Sequence, residues 1–197
     1  MSKDKDTGKK ILDATLEIIA REKISGTRMH LIAKEANMSQ SNLHYYFPTK
    51  EQLLISLMEE LQKRFSEKRR ASVNLSNKTL ADNIHGLFEE KKDDILNNKK
   101  VDYAQFDFWV QGTVNEDIRV KFQKTLEEWR NNIKEVLIKD ERVSKMKPEY
   151  VDMIPFTAVS LMMGASMQYL IDEGKFSLDE YFETSEKMVA NFLDTEA

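Results

Sequence analysis

Apolar residues recur along this chain at intervals of three and four positions, which is the spacing of one face of an α-helix. A clear example is the set Leu53, Leu57 and Leu61, which follows Lys50. The alternation of apolar and polar residues that indicates β-strands is absent. The pattern predicts an all-α fold of about nine helices.

Two sequence signals predict where long helices begin. Thr49 with Gln52, and Ser177 with Glu180, have the spacing of a capping box, in which a hydroxyl and a longer polar side chain satisfy free backbone N–H groups. These two capping boxes predict where the fourth helix and the last helix begin. Pro155 lies inside the predicted eighth helix, where a proline removes a backbone hydrogen bond, so a kink or a break is expected there.

Composition narrows the class of protein. The 197 residues include three prolines, six glycines and no cysteine, which favours helices and excludes a disulfide framework. The chain shows neither an apolar run of about 20 residues nor the apolar stretch of a secretory signal near its start, so we expect a cytoplasmic protein that does not insert into a membrane.

The charge is unevenly distributed. Residues 1–70 carry 14 Lys and Arg against 10 Asp and Glu, whereas residues 71–197 carry 16 against 24. A basic segment on an otherwise acidic protein predicts that the N-terminal part meets a polyanion, with solvated helix faces as the simpler alternative.

The stretch "ANMSQSNLHYYFPTKEQLL", residues 36–54, concentrates candidate binding chemistry. On a helical wheel Leu43 and Phe47 share one side, and the polar side chains of residues 41, 42, 44 and 45 share the other. Hydroxyl, amide, imidazole and phenol groups are those that contact base edges and phosphates in a DNA major groove. The helix is expected to end before Pro48.

The spacing around this helix is that of a helix-turn-helix. Ala33 provides a small residue where two helices cross, Asn37 tolerates left-handed geometry at the turn, and Leu43 anchors the second helix. Lys50 opens the next helix, where its ammonium and the free N–H groups can meet one phosphate.

The segment "GTRMHLIAKEANMSQSNLHYYFPTKEQLL" resembles the DNA-binding domain of TetR-family transcriptional regulators, and the resemblance covers roughly residues 7–56. It departs from the family at Asn37, where glycine is usual, at Ser41, which often is glycine, and at His44, where tyrosine is commoner. The resemblance implies a DNA-binding domain at 1–49 and an effector-binding and dimerisation domain at 50–197. It implies a homodimeric repressor that binds a palindromic double-stranded DNA operator and is released by a small, mostly apolar or aromatic effector. The implied DNA contacts are Gln40, Ser41, Asn42 and His44 for bases, and Thr27, Arg28, Tyr45 and Lys50 for phosphates.

Two other functions remain open on the sequence. An enzyme is disfavoured because the chain has no HExxH motif, no paired ExxH motifs, no glycine-rich phosphate loop and no cysteine. Its three histidines are also scattered along the sequence. No catalytic residue, metal or cofactor is therefore predicted. A helical protein could also bind DNA without sensing a ligand. A cavity among the helices beyond residue 60 would distinguish a sensor from such a protein.

Aromatic and methionine side chains supply candidate residues for an effector site, although core packing also explains them. The predicted ligand-binding residues are Phe65, Tyr103, Phe106, Asp107, Trp109, Phe122, Trp129, Phe156, Met163 and Met167. Asp107 suits a cationic or hydroxylated ligand if it points inward, and it lies on the solvent side otherwise. Small residues and an apolar stripe on the last two helices predict the dimer interface. Its members are Gly164, Ala165, Met188, Phe192 and Leu193.

Overall fold

The computed structural model describes residues 2–72 and 79–196 of the chain. Those residues form nine α-helices and one short 3₁₀ turn, and they contain no strand, which confirms the predicted all-α fold. The helices are α1 (Ser2–Gly26), α2 (Met29–Glu35), α3 (Gln40–Tyr46), α4 (Lys50–Ser72), α5 (Leu80–Asn97), α6 (Lys99–Gly112), α7 (Glu116–Leu137), α8 (Pro148–Ile171) and α9 (Leu178–Glu196), with the 3₁₀ turn at Val143–Lys145.

The chain divides into two compact units. Unit 1 comprises Met1–Arg64 and Lys100–Thr125, and unit 2 comprises Phe65–Lys99 and Leu126–Ala197. The compact units therefore do not coincide with the division at residues 49 and 50 that the sequence predicts. Most of α6 and the first half of α7 belong with the N-terminal helices, and the functional boundary stays a prediction.

The core of unit 1 is assembled from the apolar faces of short and long helices. The helix stripes predicted from the sequence are buried there, and α6 and α7 add further apolar side chains. Fully or almost fully buried members are Ile11, Leu16, Ile19, Ile32, Leu43, Leu53, Leu57, Phe108 and Ile118. Burying a leucine or isoleucine side chain contributes about 1.5–3 kcal/mol, so this core holds α2 and α3 in place although each is only two turns long.

The predicted helix starts are confirmed. The Gln52 N–H donates to the Thr49 hydroxyl at 3.1 Å, and the Glu180 N–H donates to the Ser177 hydroxyl at 3.3 Å. The first helix, α1, begins at Ser2. Asp4 lies in its first turn, where a carboxylate is favourable beside the positive end of the helix dipole.

Pro155 neither splits nor ends α8, which is assigned as a single helix from Pro148 to Ile171. Of the two predicted outcomes, the break is therefore wrong, and the kink stays a prediction. A proline in a helix interior removes one hydrogen bond, to the carbonyl four residues earlier, and here that carbonyl belongs to Val151. Pro155 itself is buried, so its ring contributes to packing.

α8 is also long and apolar enough to cross a membrane, judged by length and composition alone. A search for uninterrupted apolar runs misses it because charged residues punctuate its first turns. The helix supplies Ile154, Ala158, Val159, Met162 and Ala165 to the core of unit 2, where they pack with side chains of α5, α7 and α9. The core helices of soluble proteins pass the same test, so length and composition alone are weak evidence of a membrane span.

Candidate nucleic-acid interface

A sharp turn joins α2 to α3. Ala36 closes α2, and Asn37 follows with a φ of 53°, in the left-handed region that asparagine tolerates better than other non-glycine residues. The Asn42 N–H then donates to the Ser39 hydroxyl at 3.1 Å, which caps the start of α3. The geometry predicted for Asn37 is confirmed, and a helix, a tight turn and a second helix follow one another as a helix-turn-helix requires.

Two apolar anchors fix α3 against the other helices of unit 1. Ala33 on α2 and Leu43 on α3 are both buried, with 3% and 0% of their surface exposed. A small residue at position 33 permits close approach of the helices, and Leu43 fills the space beneath α3. The roles predicted for both residues are confirmed.

The opposite face of α3 is exposed and polar. Gln40, Ser41, Asn42, His44 and Tyr45 all lie at the surface, and Tyr45 is 80% exposed. Consecutive turns of one helix therefore present amide, hydroxyl, imidazole and phenol groups on one side. These groups can donate to and accept from base edges and phosphate oxygens.

Hydrogen bonds to both ring nitrogens orient the His44 imidazole. Its Nδ1 lies 3.2 Å from the Pro48 carbonyl oxygen, and its Nε2 lies 3.4 Å from the Gln40 Nε2. A carbonyl oxygen can only accept, so Nδ1 carries the proton in the neutral ring and Nε2 accepts from the Gln40 amide. The Gln40 amide oxygen takes no part in this contact with His44 and can accept a hydrogen bond from another group.

Lys50 lies at the first residue of α4, and its ammonium already has a protein partner. The Lys50 Nζ donates to the Ile24 carbonyl oxygen at 2.5 Å. Partial burial lowers the pKa of the Lys50 ammonium, the positive charge of Arg28 lowers it further, and the negative charge of Asp107 raises it. Arg28 is exposed and donates to the Ser25 and Thr27 carbonyls at 2.7 and 3.2 Å. Arg28 and Lys50 thus lie close enough for their charges to interact, and their contacts with phosphate stay predictions.

The structure contradicts the prediction that Thr27 contacts a DNA phosphate. Its side chain is fully buried, and its hydroxyl donates to the Lys23 carbonyl at 2.7 Å, so it cannot reach a phosphate. α1 is interrupted four residues earlier, at Lys23, which has a φ of 60° and a ψ of 168°. The Thr27 N–H donates to the same Lys23 carbonyl, at 3.0 Å. No sequence signal marks this break, because lysine rarely adopts a positive φ.

The predicted ligand-binding residues are distributed over both units. Unit 1 contains Tyr103, Phe106, Asp107, Trp109 and Phe122, and unit 2 contains Phe65, Trp129, Phe156, Met163 and Met167.

The surroundings of these residues differ. Phe122 and Trp129 are buried, whereas Trp109, Phe156 and Met167 each expose about half of their surface. Asp107 accepts a hydrogen bond from the Ile24 N–H, so its carboxylate is engaged by backbone of α1. Asp107 is half-buried, and whether its carboxylate also meets a ligand stays a prediction.

A groove between α8 and α9 in unit 2 encloses a cavity of about 270 Å³. Its walls are almost entirely apolar. The lining residues are Tyr150, Met153, Ile154, Thr157, Leu161, Met188, Val189 and Phe192. A second cavity of about 230 Å³ lies between α5 and α9, beside Arg142 and Glu186. None of the predicted ligand-binding residues lines either cavity.

The predicted dimer residues separate into two groups. Met188 and Phe192 are 58% and 39% exposed, so they are available to a partner, and Gly164 is partly buried. Ala165 and Leu193 are 0% and 1% exposed inside the core of unit 2, so their assignment to an interface is wrong. Helical spacing places all of them on apolar stripes, but it does not distinguish a stripe that faces the core from one that faces a partner.

The sequence analysis missed two contributors to this site. Ser39 had a detectable signal, because serine directly before a predicted helix is a preferred cap. Asp107 had none, because its partner Ile24 lies 83 positions earlier in the chain. Among the residues that the structure describes, no group of His, Cys, Asp and Glu is arranged to hold a metal ion.

Comparison with known proteins agrees with this geometry. Residues 11–57 match the family described as bacterial regulatory proteins, tetR family. The regulator RutR of Escherichia coli K12 is 42% identical over 53 residues, which are 27% of this chain and 25% of RutR. The chain thus spans about a quarter of the length of this curated relative.

Solved structures extend the similarity of fold to nearly the whole chain. A transcriptional regulator of Saccharomonospora viridis in complex with choline has a TM-score of 0.82 at 19% identity, over 94% of this chain and 96% of that one. FadR of Bacillus subtilis in complex with stearoyl-CoA has a TM-score of 0.78 at 18% identity, over 91% and 95%. The chain thus resembles tetR-family regulators in the sequence of residues 11–57, and it shares the fold of these solved regulators over nearly its whole length.

Proposed function

We propose that this protein is a cytoplasmic transcriptional repressor, and not an enzyme, that binds a palindromic DNA operator as a homodimer and releases it when a small effector binds. The observation that carries the proposal is the exposed polar face of α3, presented by a capped turn within a domain that matches the tetR family. A rigid short helix with base-reading groups on one side is the element that enters a major groove in proteins of this kind.

Within the α3 face, the amide groups are the best candidates for reading bases. Asn and Gln can bond the N6 and N7 of adenine with two hydrogen bonds, and each such pair contributes about 1–3 kcal/mol of discrimination against the wrong base. Asn42 is exposed, and Gln40 keeps its amide oxygen free beside His44. Arg28, Tyr45 and Lys50 are proposed to contact phosphates and to fix the register of α3.

A homodimer follows from the small size of this contact surface. One helix-turn-helix makes few contacts, and two copies related by a two-fold axis require half-sites about 34–36 Å apart or a multiple of that distance. The groove between α8 and α9 supports the location of the interface, since Met153, Met188 and Phe192 expose apolar surface there. An exposed apolar groove on a helical protein is a typical site of association.

The proposal of an effector is supported by the choline and stearoyl-CoA complexes of the two structural relatives. In this chain the aromatic residues of α6, α7 and α8 favour an apolar or aromatic molecule. Linkage requires that an effector and DNA weaken each other's binding by the same factor.

The DNA-binding part is tested by selecting genomic fragments that the purified protein retains and by measuring affinity for the enriched sequence. Asn42→Ala should cost about 1–3 kcal/mol on that operator and little on random DNA. Lys50→Ala should weaken binding to both and reduce the salt slope by about one unit. Equal losses on operator and random DNA for Asn42→Ala would refute its base-reading role.

The sensing part is tested separately. Tryptophan fluorescence and operator binding should be followed across a library of hydrophobic amines, phenols and acyl compounds. A compound that both changes fluorescence and releases DNA supports a sensor. Operator binding that no compound in the library alters supports the alternative, a DNA-binding protein without a ligand.

A further inference from the structure

The Ile24 peptide of unit 1 is held by side chains from two other helices. The helical run of α1 is interrupted at Lys23, so the Ile24 backbone groups are available to outside partners. The Ile24 N–H donates to the Asp107 carboxylate on α6, and the Ile24 carbonyl accepts from the Lys50 ammonium on α4. One buried residue of α1 thus joins a carboxylate and a cation through its two backbone groups.

Two further contacts attach α6 to α1. The Lys23 ammonium lies 4.5 Å from the centre of the Tyr103 ring, one turn before Asp107 on α6. At the start of α6, the Lys100 ammonium forms an ion pair with Glu17. The contact between Asp107 and Ile24 is therefore part of a wider attachment, and α6 cannot shift along α1 without disturbing it.

The charges around Ile24 explain why Lys50 points there. Asp107 attracts the Lys50 ammonium, whereas Arg28 repels it, and both residues lie near enough to affect its ionisation. A carboxylate beside a cation in a partly buried site attracts it more strongly than it would in water. Lys50 is at the same time the residue proposed to contact a DNA phosphate, and a phosphate would compete for the same ammonium.

We propose that Asp107 is a positioning residue for DNA binding, which holds the Ile24 peptide and keeps the Lys50 ammonium on the Ile24 carbonyl. In this arrangement α6 restrains the phosphate-binding end of α4, although Asp107 never touches DNA. The inference rests on the proposed DNA-binding function, and it adds a restraint that the free protein must release when Lys50 meets a phosphate.

Two substitutions at residue 107 separate its charge from its hydrogen bond. Asp107→Asn keeps an oxygen that accepts from the Ile24 N–H but no longer attracts Lys50, so DNA binding should become tighter. Lys50 contacts the phosphate in both proteins, so the salt slope should stay the same, and the gain in affinity should be about 1.4- to 5-fold, the range for one partly exposed charge pair. Asp107→Ala leaves the buried N–H without an acceptor, so this variant should instead melt at a lower temperature.

The decisive measurement is a double-mutant cycle. In a Lys50→Ala background the effect of Asp107→Asn on DNA affinity should vanish, because no ammonium remains to be released. Glu22→Gln removes a carboxylate from α1 and serves as the matched control, with no dependence on Lys50 expected. If Asp107→Asn strengthens binding equally with and without Lys50, it acts by general repulsion of DNA, and the positioning role is excluded.

A second readout needs no DNA. Lys50 bonded to Ile24 should react slowly with acetic anhydride, and Asp107→Asn should increase its labelling as measured by mass spectrometry, whereas Glu22→Gln should not. Faster labelling in a protein that fails to bind any DNA would support the positioning contact and refute the proposed function. DNA binding and labelling that are both unchanged in Asp107→Asn would refute the positioning role and leave the function intact.

Discussion

Replacing Phe192 by aspartate tests the proposed homodimer most directly. Phe192 lies on α9 with 39% of its surface exposed, at the edge of the groove between α8 and α9. Its ring packs edge-on against Tyr150, with the ring centres 5.5 Å apart. The covered side of the ring belongs to unit 2, and the exposed side is available to a second copy of the chain.

The size of the effect follows from this exposed area. A phenylalanine side chain buries about 200 Å² when fully enclosed, so the exposed part offers a partner about 80 Å². At about 25 cal/mol/Å² this surface contributes about 2 kcal/mol, and a two-fold interface contains it twice. The loss of about 4 kcal/mol raises the dissociation constant about 1,000-fold, and two carboxylates placed in an apolar groove add to it.

Sedimentation velocity at micromolar concentration measures the outcome. The unmodified protein should sediment as a dimer and Phe192→Asp as a monomer with unchanged helical content by circular dichroism. Ile138→Asp is the matched control, because Ile138 is 60% exposed after the end of α7 and lies outside the groove. A Phe192→Asp protein that stays dimeric while folded would place the interface elsewhere and refute the reasoning.

Three further predictions concern stability. Asn37→Ala should lower the free energy of unfolding by about 1 kcal/mol in urea titrations, because alanine lacks the local hydrogen bonds that help asparagine adopt a positive φ, and Asn37→Gly should not. Ser39→Ala should cost about 1 kcal/mol through loss of the α3 cap. Ser39→Asp should keep the cap but weaken DNA binding through its charge. Hydrogen bonds from Arg142 lower the pKa of Asp140, so the stability they contribute is present at neutral pH and is lost as the pH falls below about 4. The melting temperature of Asp140→Asn should therefore be lower than that of the unmodified protein at pH 7, and the two melting temperatures should converge in acid.

Local chemistry made much of this fold predictable. The left-handed residue at Asn37, the anchor at Leu43 and the hydroxyl caps at Thr49 and Ser177 each depend on residues within four positions, and the structure confirms all of them. Thr27 was not predictable in the same way. Its burial depends on the break at Lys23, where tertiary contacts override the preference of lysine for negative φ.

The choice between core and interface could not be made from periodicity. Leu193 and Phe192 are neighbours on α9, yet one is 1% exposed and the other 39%. A helix of unit 2 that packs against both α5 and α8 needs apolar residues on a wide arc, and only its edge reaches solvent. Whether a given position lies at the centre or the edge of that arc depends on the crossing of three helices, which a single sequence does not specify.

The position of α6 has the most consequence for function. The resemblance to TetR-family regulators implied that residues 100–112 belong to an effector domain, whereas the structure places them in one compact unit with the helix-turn-helix. Phe108 supplies core packing to that unit and Asp107, its neighbour, bonds the Ile24 N–H. A helix that is both core and polar partner of the DNA-binding helices cannot move without altering them, since packed cores shift between discrete arrangements and do not deform continuously. Any effector that displaces α6 would therefore act on Lys50 through the Ile24 peptide, which accepts from Lys50 and donates to Asp107.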